Sequence, residues 1–239
     1  MFGAATELVD AGMRAQLAAA LKARQSGSAR IGWKIALNDA GVQKRLGIPC
    51  SLVGTLAAPA LASGAVYRPP SAGRPRLEAE LALRICSAVP AGASLEQASA
   101  AIAAVGPAIE FVDAAKPMSS LAIMAQSSFL HDAVLFGPEC DVQTAAHLGR
   151  EFPRVWRNGE VLATPVSGRV PAKLAELVVH VANVLARYGE SLLAGDRIIS
   201  GSYTDPLDIV PADRITVDYG PLGELQVAVG EPRADAKPA

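Results

Sequence analysis

Residues 76–85 alternate strictly between apolar and polar or small side chains. This period of two, after a Pro-rich lead-in, predicts a half-buried β-strand. Glu78 and Glu80 are two residues apart, so the strand places both carboxylates on one face. Two like charges this close raise each other's pKa unless a cation neutralises them. The pair therefore indicates either a bound cation or a solvated strand face on which Arg76 and Arg84 supply the counter-charges.

Length and composition restrict the class of protein. The chain has 239 residues, 51% of them hydrophobic, which suffices for one large domain or for one domain with a small helical appendage. The net charge is −1 and no block of like charge occurs, so we expect no nucleic-acid partner and no membrane partner. The N-terminus does not resemble a signal peptide, and three scattered cysteines are typical of a reducing compartment. The prediction is a soluble, cytoplasmic protein.

Local patterns predict few helices and many strands. An apolar helical period covers residues 5–24, and Asn158-Gly159 between strand-like flanks predicts a hairpin. Further helices are predicted at 39–47, 95–104, 118–126 and 171–188, and strands at 30–37, 52–56, 105–112, 131–137, 197–202, 214–219 and 224–229. Because strands and helices do not alternate regularly, the fold class is α+β around a rolled or sandwiched sheet. We expect a single domain overall, with an N-terminal helical and strand segment at 1–56, a β-rich core at 57–230 and a disordered tail at 231–239.

Lys34 lies inside an apolar strand-like run, where an ammonium group loses hydration. It is either a lysine that snorkels to the surface, or a cation that faces an anionic substrate or donates a proton.

Several segments in order resemble one family. They are Gly32-Trp33-Lys34-Ile35, Gly54-Thr55-Leu56, Leu77-Glu78-Ala79-Glu80-Leu81-Ala82, Pro107-Ala108-Ile109-Glu110-Phe111-Val112-Asp113 and, near the end, Ala194-Gly195-Asp196 with Gly201. Together they resemble the 2-keto-4-pentenoate hydratases and 4-oxalocrotonate decarboxylases of the fumarylacetoacetate hydrolase superfamily, over about residues 30 to 230. The resemblance implies a mixed rolled β-sandwich or barrel of the fumarylacetoacetate hydrolase C-terminal type, preceded by a helical segment.

The resemblance also implies a metal site. Glu78, Glu80 and Glu110 would bind Mg²⁺ or Mn²⁺, since hard cations prefer carboxylate oxygens. Lys34 would contact the substrate, a small 2-oxo or 2-enol acid, or move a proton. We expect a hydratase that adds water to a 2-hydroxy-2,4-dienoate and yields a 4-hydroxy-2-oxo acid in aromatic meta-cleavage catabolism. Family members commonly form homo-oligomers.

Some positions depart from the family pattern. Ser51-Leu52-Val53 stand where the hydratases carry an acid, and Ala114-Ala115-Lys116 replace an expected arginine. A 2-oxo-acid decarboxylase or an acylpyruvate hydrolase on the same metal site therefore stays open, as does a non-catalytic family member that acts as a binding or assembly partner.

Four further residues are candidates for the site. His131 either moves protons at the site or is a hydrogen-bonded histidine at a strand start. Asp113 either orders Lys34 or a metal-bound water, or is a turn residue. Ser202 and Thr204 are candidates to bind the substrate carboxylate, on a turn that the resemblance places at the site.

Overall fold

The computed structural model describes residues 2–57, 59–148, 150–169 and 173–234, with side chains from residue 6 onward except at 146 and 147. The α-helices are α1 (Phe2–Gln25), α2 (Ala40–Leu46), α3 (Leu95–Ala100), α4 (Leu121–Gln126) and α5 (Leu174–Ala186). The strands are β1 (Gly32–Ala36), β2 (Leu52–Leu56), β3 (Ala60–Ala62), β4 (Ala65–Tyr67), β5 (Pro75–Ile85), β6 (Ile102–Asp113), β7 (His131–Phe136), β8 (Arg154–Arg157), β9 (Glu160–Ala163), β10 (Arg197–Ile199), β11 (Leu207–Asp208), β12 (Arg214–Asp218) and β13 (Glu224–Val229).

The larger sheet carries the sequence motifs. Its order is β2-β1-β10-β5-β6-β7-β3, with β11 also paired to β5. The long strands β5 and β6 are antiparallel neighbours, and their register sets Glu78 opposite Glu110. The smaller sheet has the order β4-β13-β12-β8-β9, and the predicted hairpin at Asn158-Gly159 joins β8 to β9. The result is a curled sheet packed with a second sheet and few helices, which confirms the predicted α+β fold.

The apolar face of β5 forms the centre of the core. Leu77, Ala79, Leu81, Leu83 and Ile85 are all fully buried, and they share one cluster with side chains of α5 and of the smaller sheet. The opposite face is also largely buried, because Glu80 is inaccessible and a second apolar cluster around Ala82 lies beside it. The solvated-face interpretation of the glutamate pair is therefore wrong: the sheet curls over this face.

Several boundaries differ from prediction. The helix predicted at 95–104 ends at Ala100, because β6 begins at Ile102 and pairs with Ile85 at a β-bulge. The strand predicted at 197–202 ends at Ile199, because the chain turns at Gly201 (φ 87°), whose N–H binds Glu80. The predicted start of the last helix at 171 lies outside the described residues.

The predicted tail falls partly within the structure. Residues 235–239 lie outside the described part of the chain, whereas Arg233 forms an ion pair with Asp132 at 2.5 Å. The division into segments 1–56 and 57–230 stays a prediction. Within the described residues, every helix is too short or too polar for a transmembrane span.

Candidate metal centre and active site

The structure brings together three glutamates from two strands. Glu78 and Glu80 come from β5 and Glu110 from β6, and one carboxylate oxygen of each lies within 4.8 Å of the other two. Antiparallel neighbours in register point directly opposite side chains to the same face, which explains why Glu110 meets the pair. Glu80 and Glu110 are fully buried.

Two of these carboxylate oxygens have no hydrogen-bond partner among the described residues. They are Glu80 Oε1 and Glu110 Oε2. The second oxygen of each group is occupied: Gly201 N donates to Glu80 Oε2 at 2.8 Å, and Lys34 Nζ donates to Glu110 Oε1 at 2.5 Å. An unpartnered buried carboxylate oxygen is costly, and a hard divalent cation satisfies several at once. The donor set therefore fits Mg²⁺ or Mn²⁺.

The charges in the cluster shift the pKa of each carboxyl group. Burial, together with the charge of Glu110, raises the pKa of Glu78 to about 7 and raises that of Glu80 well above its ordinary value. Burial also acts to raise the pKa of Glu110, but Lys34 and His131 outweigh it and lower this pKa. The metal-free cluster thus retains protons that a bound cation would displace.

Lys34 does not reach the surface. Its side chain is only 3% exposed, and Nζ also donates to Phe129 O at 3.2 Å. Burial alone would lower the pKa of Lys34, but the charges of Glu110 and Glu78 outweigh it and raise this pKa. Lys34 is therefore an ammonium ion inside the site, which excludes the snorkelling interpretation.

His131 contacts the same carboxylate oxygen as Lys34. Its Nδ1 lies 2.8 Å from Glu110 Oε1, and its Nε2 lies 3.2 Å from Ala57 O. Both partners are acceptors, and a neutral ring can donate to only one of them. Each ring nitrogen is therefore directed at an oxygen of the protein.

The remaining predicted residues divide into two groups. Ser202 and Thr204 line a cleft of about 430 Å³ together with Lys34 and Glu78. Ser202 Oγ is hydrogen-bonded to Thr204 O at 2.8 Å, whereas Thr204 Oγ1 is buried and has no partner among the described residues. Asp113 instead accepts hydrogen bonds from the backbone N–H groups of Arg74 (2.8 Å) and Ala115 (2.9 Å). These contacts support its turn interpretation, and the predicted contact of Asp113 with Lys34 is not formed.

Arg169 is a site residue that the sequence patterns did not indicate. It lines the same cleft and donates to Thr204 O and to Asp205 Oδ1, both at 2.7 Å. Its Nε is buried without a partner in the described part of the chain. Arg169 lies in an irregular segment with no periodicity, so only its charge could have drawn attention to it.

Comparison with known proteins identifies the family. The family model "Fumarylacetoacetate (FAA) hydrolase C-terminal" matches residues 33–230. The chain belongs to the fumarylacetoacetate hydrolase family. The resemblance stated from the motifs is thereby confirmed.

Relatives within the fumarylacetoacetate hydrolase family include two kinds of enzyme. The chain is 25% identical to the 4-oxalocrotonate decarboxylase of Pseudomonas putida over 211 residues, which span 84% of this chain and 78% of that enzyme. It is 38% identical to the 2-oxo-hept-4-ene-1,7-dioate hydratase of Escherichia coli over 71 residues, 30% of this chain and 27% of the hydratase. The structure of the decarboxylase from Pseudomonas putida G7 with magnesium and adipate matches with a TM-score of 0.82 at 24% identity, over 90% of this chain and 83% of that one. The matched structure shares the fold.

Proposed function

We propose that this protein is a divalent-metal-dependent decarboxylase of unsaturated 2-oxo dicarboxylic acids of the 4-oxalocrotonate type, in aromatic meta-cleavage catabolism. The observation that carries the proposal is the cluster of Glu78, Glu80 and Glu110, with two unpartnered oxygens beside a buried ammonium ion. These three residues would hold Mg²⁺ or Mn²⁺. When bound, the ion supplies Lewis-acid polarisation of the 2-oxo group.

Decarboxylation suits the protonation of the site better than hydration does. Addition of water requires a base, but Lys34 is an ammonium ion and both nitrogens of His131 face acceptors. Loss of CO₂ requires no base. The bond to the terminal carboxylate carbon breaks, its electron pair moves through the conjugated chain to the 2-oxo oxygen, and that oxygen takes a proton. Lys34 Nζ is the proton donor that we assign, and the product is a 2-hydroxy-2,4-dienoate.

The charges of the cleft suit a substrate with two carboxylates. Lys34, Arg45 and Arg169 line it, so it offers one cation beside the glutamates and two more away from them. Asp205 and, at 3.9 Å, Asp39 neutralise part of the charge of Arg169, but its Nε has no partner among the described residues and can donate to an anion. We therefore expect Arg169→Met to raise the KM for a dicarboxylate more than for a monocarboxylate.

Hydration, the reaction predicted from the sequence, is the second candidate. The identity of 38% with a dioate hydratase over 71 residues favours it. In that case water would add to a 2-hydroxy-2,4-dienoate and a 4-hydroxy-2-oxo acid would accumulate.

Product analysis tests the proposal. The purified protein with Mn²⁺ would be given 4-oxalocrotonate, 2-hydroxypenta-2,4-dienoate and an acylpyruvate in separate assays. We expect release of CO₂ from the first substrate. Glu110→Gln should abolish this release, whereas the exposed control Glu160→Gln should release CO₂ at the wild-type rate. A 4-hydroxy-2-oxo acid without CO₂ would establish the hydratase, and cleavage of the acylpyruvate would establish a hydrolase. Mn²⁺ binding without turnover would indicate a non-catalytic binding partner.

A homo-oligomer in the cytoplasm remains part of the proposal. Analytical ultracentrifugation and cell fractionation would test these two predictions.

A further inference from the structure

One buried polar side chain joins the N-terminal helix to β2 and to the segment that precedes His131. Gln16, on α1, is 2% exposed and lies upstream of residue 33, where the match to the family model begins. Its Oε1 accepts from Thr55 N at 3.1 Å and from Ser128 Oγ at 3.2 Å, and its Nε2 donates to Val53 O at 3.2 Å. Both ends of the amide thus have partners: Nε2 contacts β2 alone, and Oε1 contacts both β2 and Ser128.

The segment that Gln16 contacts has an unusual backbone. Ser128, Phe129 and Leu130 have φ values of 52°, 52° and 70°, so three consecutive non-glycine residues are left-handed. Each such residue costs about 1–3 kcal/mol unless its surroundings hold it there. Ser128 Oγ has a single hydrogen, which it shares between Thr55 O at 2.6 Å and Gln16 Oε1 at 3.2 Å, so β2 and Gln16 together hold the start of this left-handed turn.

The left-handed turn leads directly to the active groups. Phe129 O accepts a hydrogen bond from Lys34 Nζ, and His131, the residue after the turn, contacts Glu110. The strand between Ser128 and Lys34 has no spare room, because a Cβ at Gly54 would lie 2.8 Å from Ser128 Oγ and 2.9 Å from Lys34 Cγ. A shift of Ser128 therefore reaches Lys34 through the backbone at Phe129 O, and Gly54 lies against both side chains.

We propose that Gln16 is a positioning residue: it holds the left-handed turn 128–130 and thereby sets Lys34 and His131 against Glu110. The consequence for turnover depends on the proposed function, whereas the effect on the turn does not. The N-terminal helix would then contribute to the geometry of the site as well as to packing.

A double-mutant cycle tests this proposal. Gln16→Met keeps the volume and removes both hydrogen-bonding ends, and Ser128→Gly removes the hydroxyl while accepting the positive φ. Gln25→Met, on the exposed end of the same helix, is the matched control. We expect Gln16→Met and Ser128→Gly each to lower kcat about 10- to 100-fold, because a small displacement of a reacting group costs this much, with KM and Mn²⁺ affinity changed less than about threefold. The kcat of the double variant should be no lower than that of the worse single variant, and Gln25→Met should keep the wild-type kcat.

Amide hydrogen exchange supplies a measurement that needs no substrate. We expect faster exchange at Phe129 and His131 in Gln16→Met, with wild-type rates in β12. Unchanged exchange at the turn, or losses in kcat that multiply in the double variant, would overturn the proposal. Should Gln16→Met not fold, Ser128→Gly carries the comparison alone, since it removes the hydroxyl that contacts Gln16 Oε1. If the wild type turns over none of the three substrates, the proposed function fails while the exchange comparison still decides the role of Gln16.

Discussion

Replacement of Glu80 by glutamine should stabilise the metal-free protein and remove its response to metal. The three carboxylates lie within 4.8 Å of one another, and at this separation a pair of full charges repels by about 3.5 kcal/mol at an effective dielectric constant of 20. Protonation relieves part of this repulsion, as the raised pKa of Glu80 indicates. Glutamine is neutral at every pH, and its amide oxygen can still accept the hydrogen bond from Gly201 N.

We therefore expect Glu80→Gln to raise the free energy of unfolding of the metal-free protein by about 1–3 kcal/mol, below the full Coulomb value because protonation already offsets part of it. For a chain of this size each kcal/mol moves the Tm by about 2–4 °C. Thermal unfolding would be followed by circular dichroism at pH 7 with a chelator present, and then with Mn²⁺. The free energy of unfolding of the wild type should rise by about 2.7 kcal/mol when Mn²⁺ is at 100 times its Kd, and that of Glu80→Gln should rise much less.

Glu160→Gln is the control, because Glu160 is exposed on the hairpin and the same change there should alter neither Tm nor Mn²⁺ response. A metal-free Glu80→Gln protein that is less stable than wild type would refute the electrostatic reasoning. An undiminished stabilisation of that variant by Mn²⁺ would refute the metal site.

Three further changes give distinct outcomes. Lys34→Met leaves the buried Glu110 without its ammonium partner, so the free energy of unfolding should fall by about 3 kcal/mol, measured by urea denaturation without metal. A loss below about 1 kcal/mol would contradict a stabilising ion pair between Lys34 and Glu110. Arg233→Gln should lower stability at neutral pH by about 1 kcal/mol, discounted for the exposure of the arginine. Burial acts to raise the pKa of Asp132, but the hydrogen bonds from Arg233 and a tyrosine outweigh it and lower this pKa. The difference from wild type should therefore shrink as the pH falls below 3.8, and a constant difference in a pH series of Tm would exclude this origin. Gly54→Ala adds a methyl group that meets side chains at under 3 Å, so kcat should fall and the free energy of unfolding should drop by about 1–3 kcal/mol, seen as a lower Tm; an unchanged kcat would show that this contact does not matter for turnover.

Periodicity along the chain was sufficient for much of the fold. The alternation in 76–85 predicted β5, its buried apolar face and the shared face of Glu78 and Glu80, because a pleated strand repeats every two residues whatever surrounds it. Asn158-Gly159 likewise predicted its hairpin, since both residues accept the positive φ that this turn requires. The motifs also identified the family, and with it the candidate ligand Glu110.

Only the tertiary structure decided which of these residues meet. Glu110 faces the glutamate pair because β5 and β6 share one register, and Lys34 is buried because β1 lies in the same curled sheet. Asp113, three residues beyond Glu110 in the same motif, is instead held in a turn by backbone N–H groups. Arg169 lines the cleft and Gln16 contacts Ser128 from segments remote in sequence, and no local pattern predicts such contacts. Local conformation follows from each residue and its near neighbours, whereas the charge environment of a buried group depends on strands that pair across most of the chain.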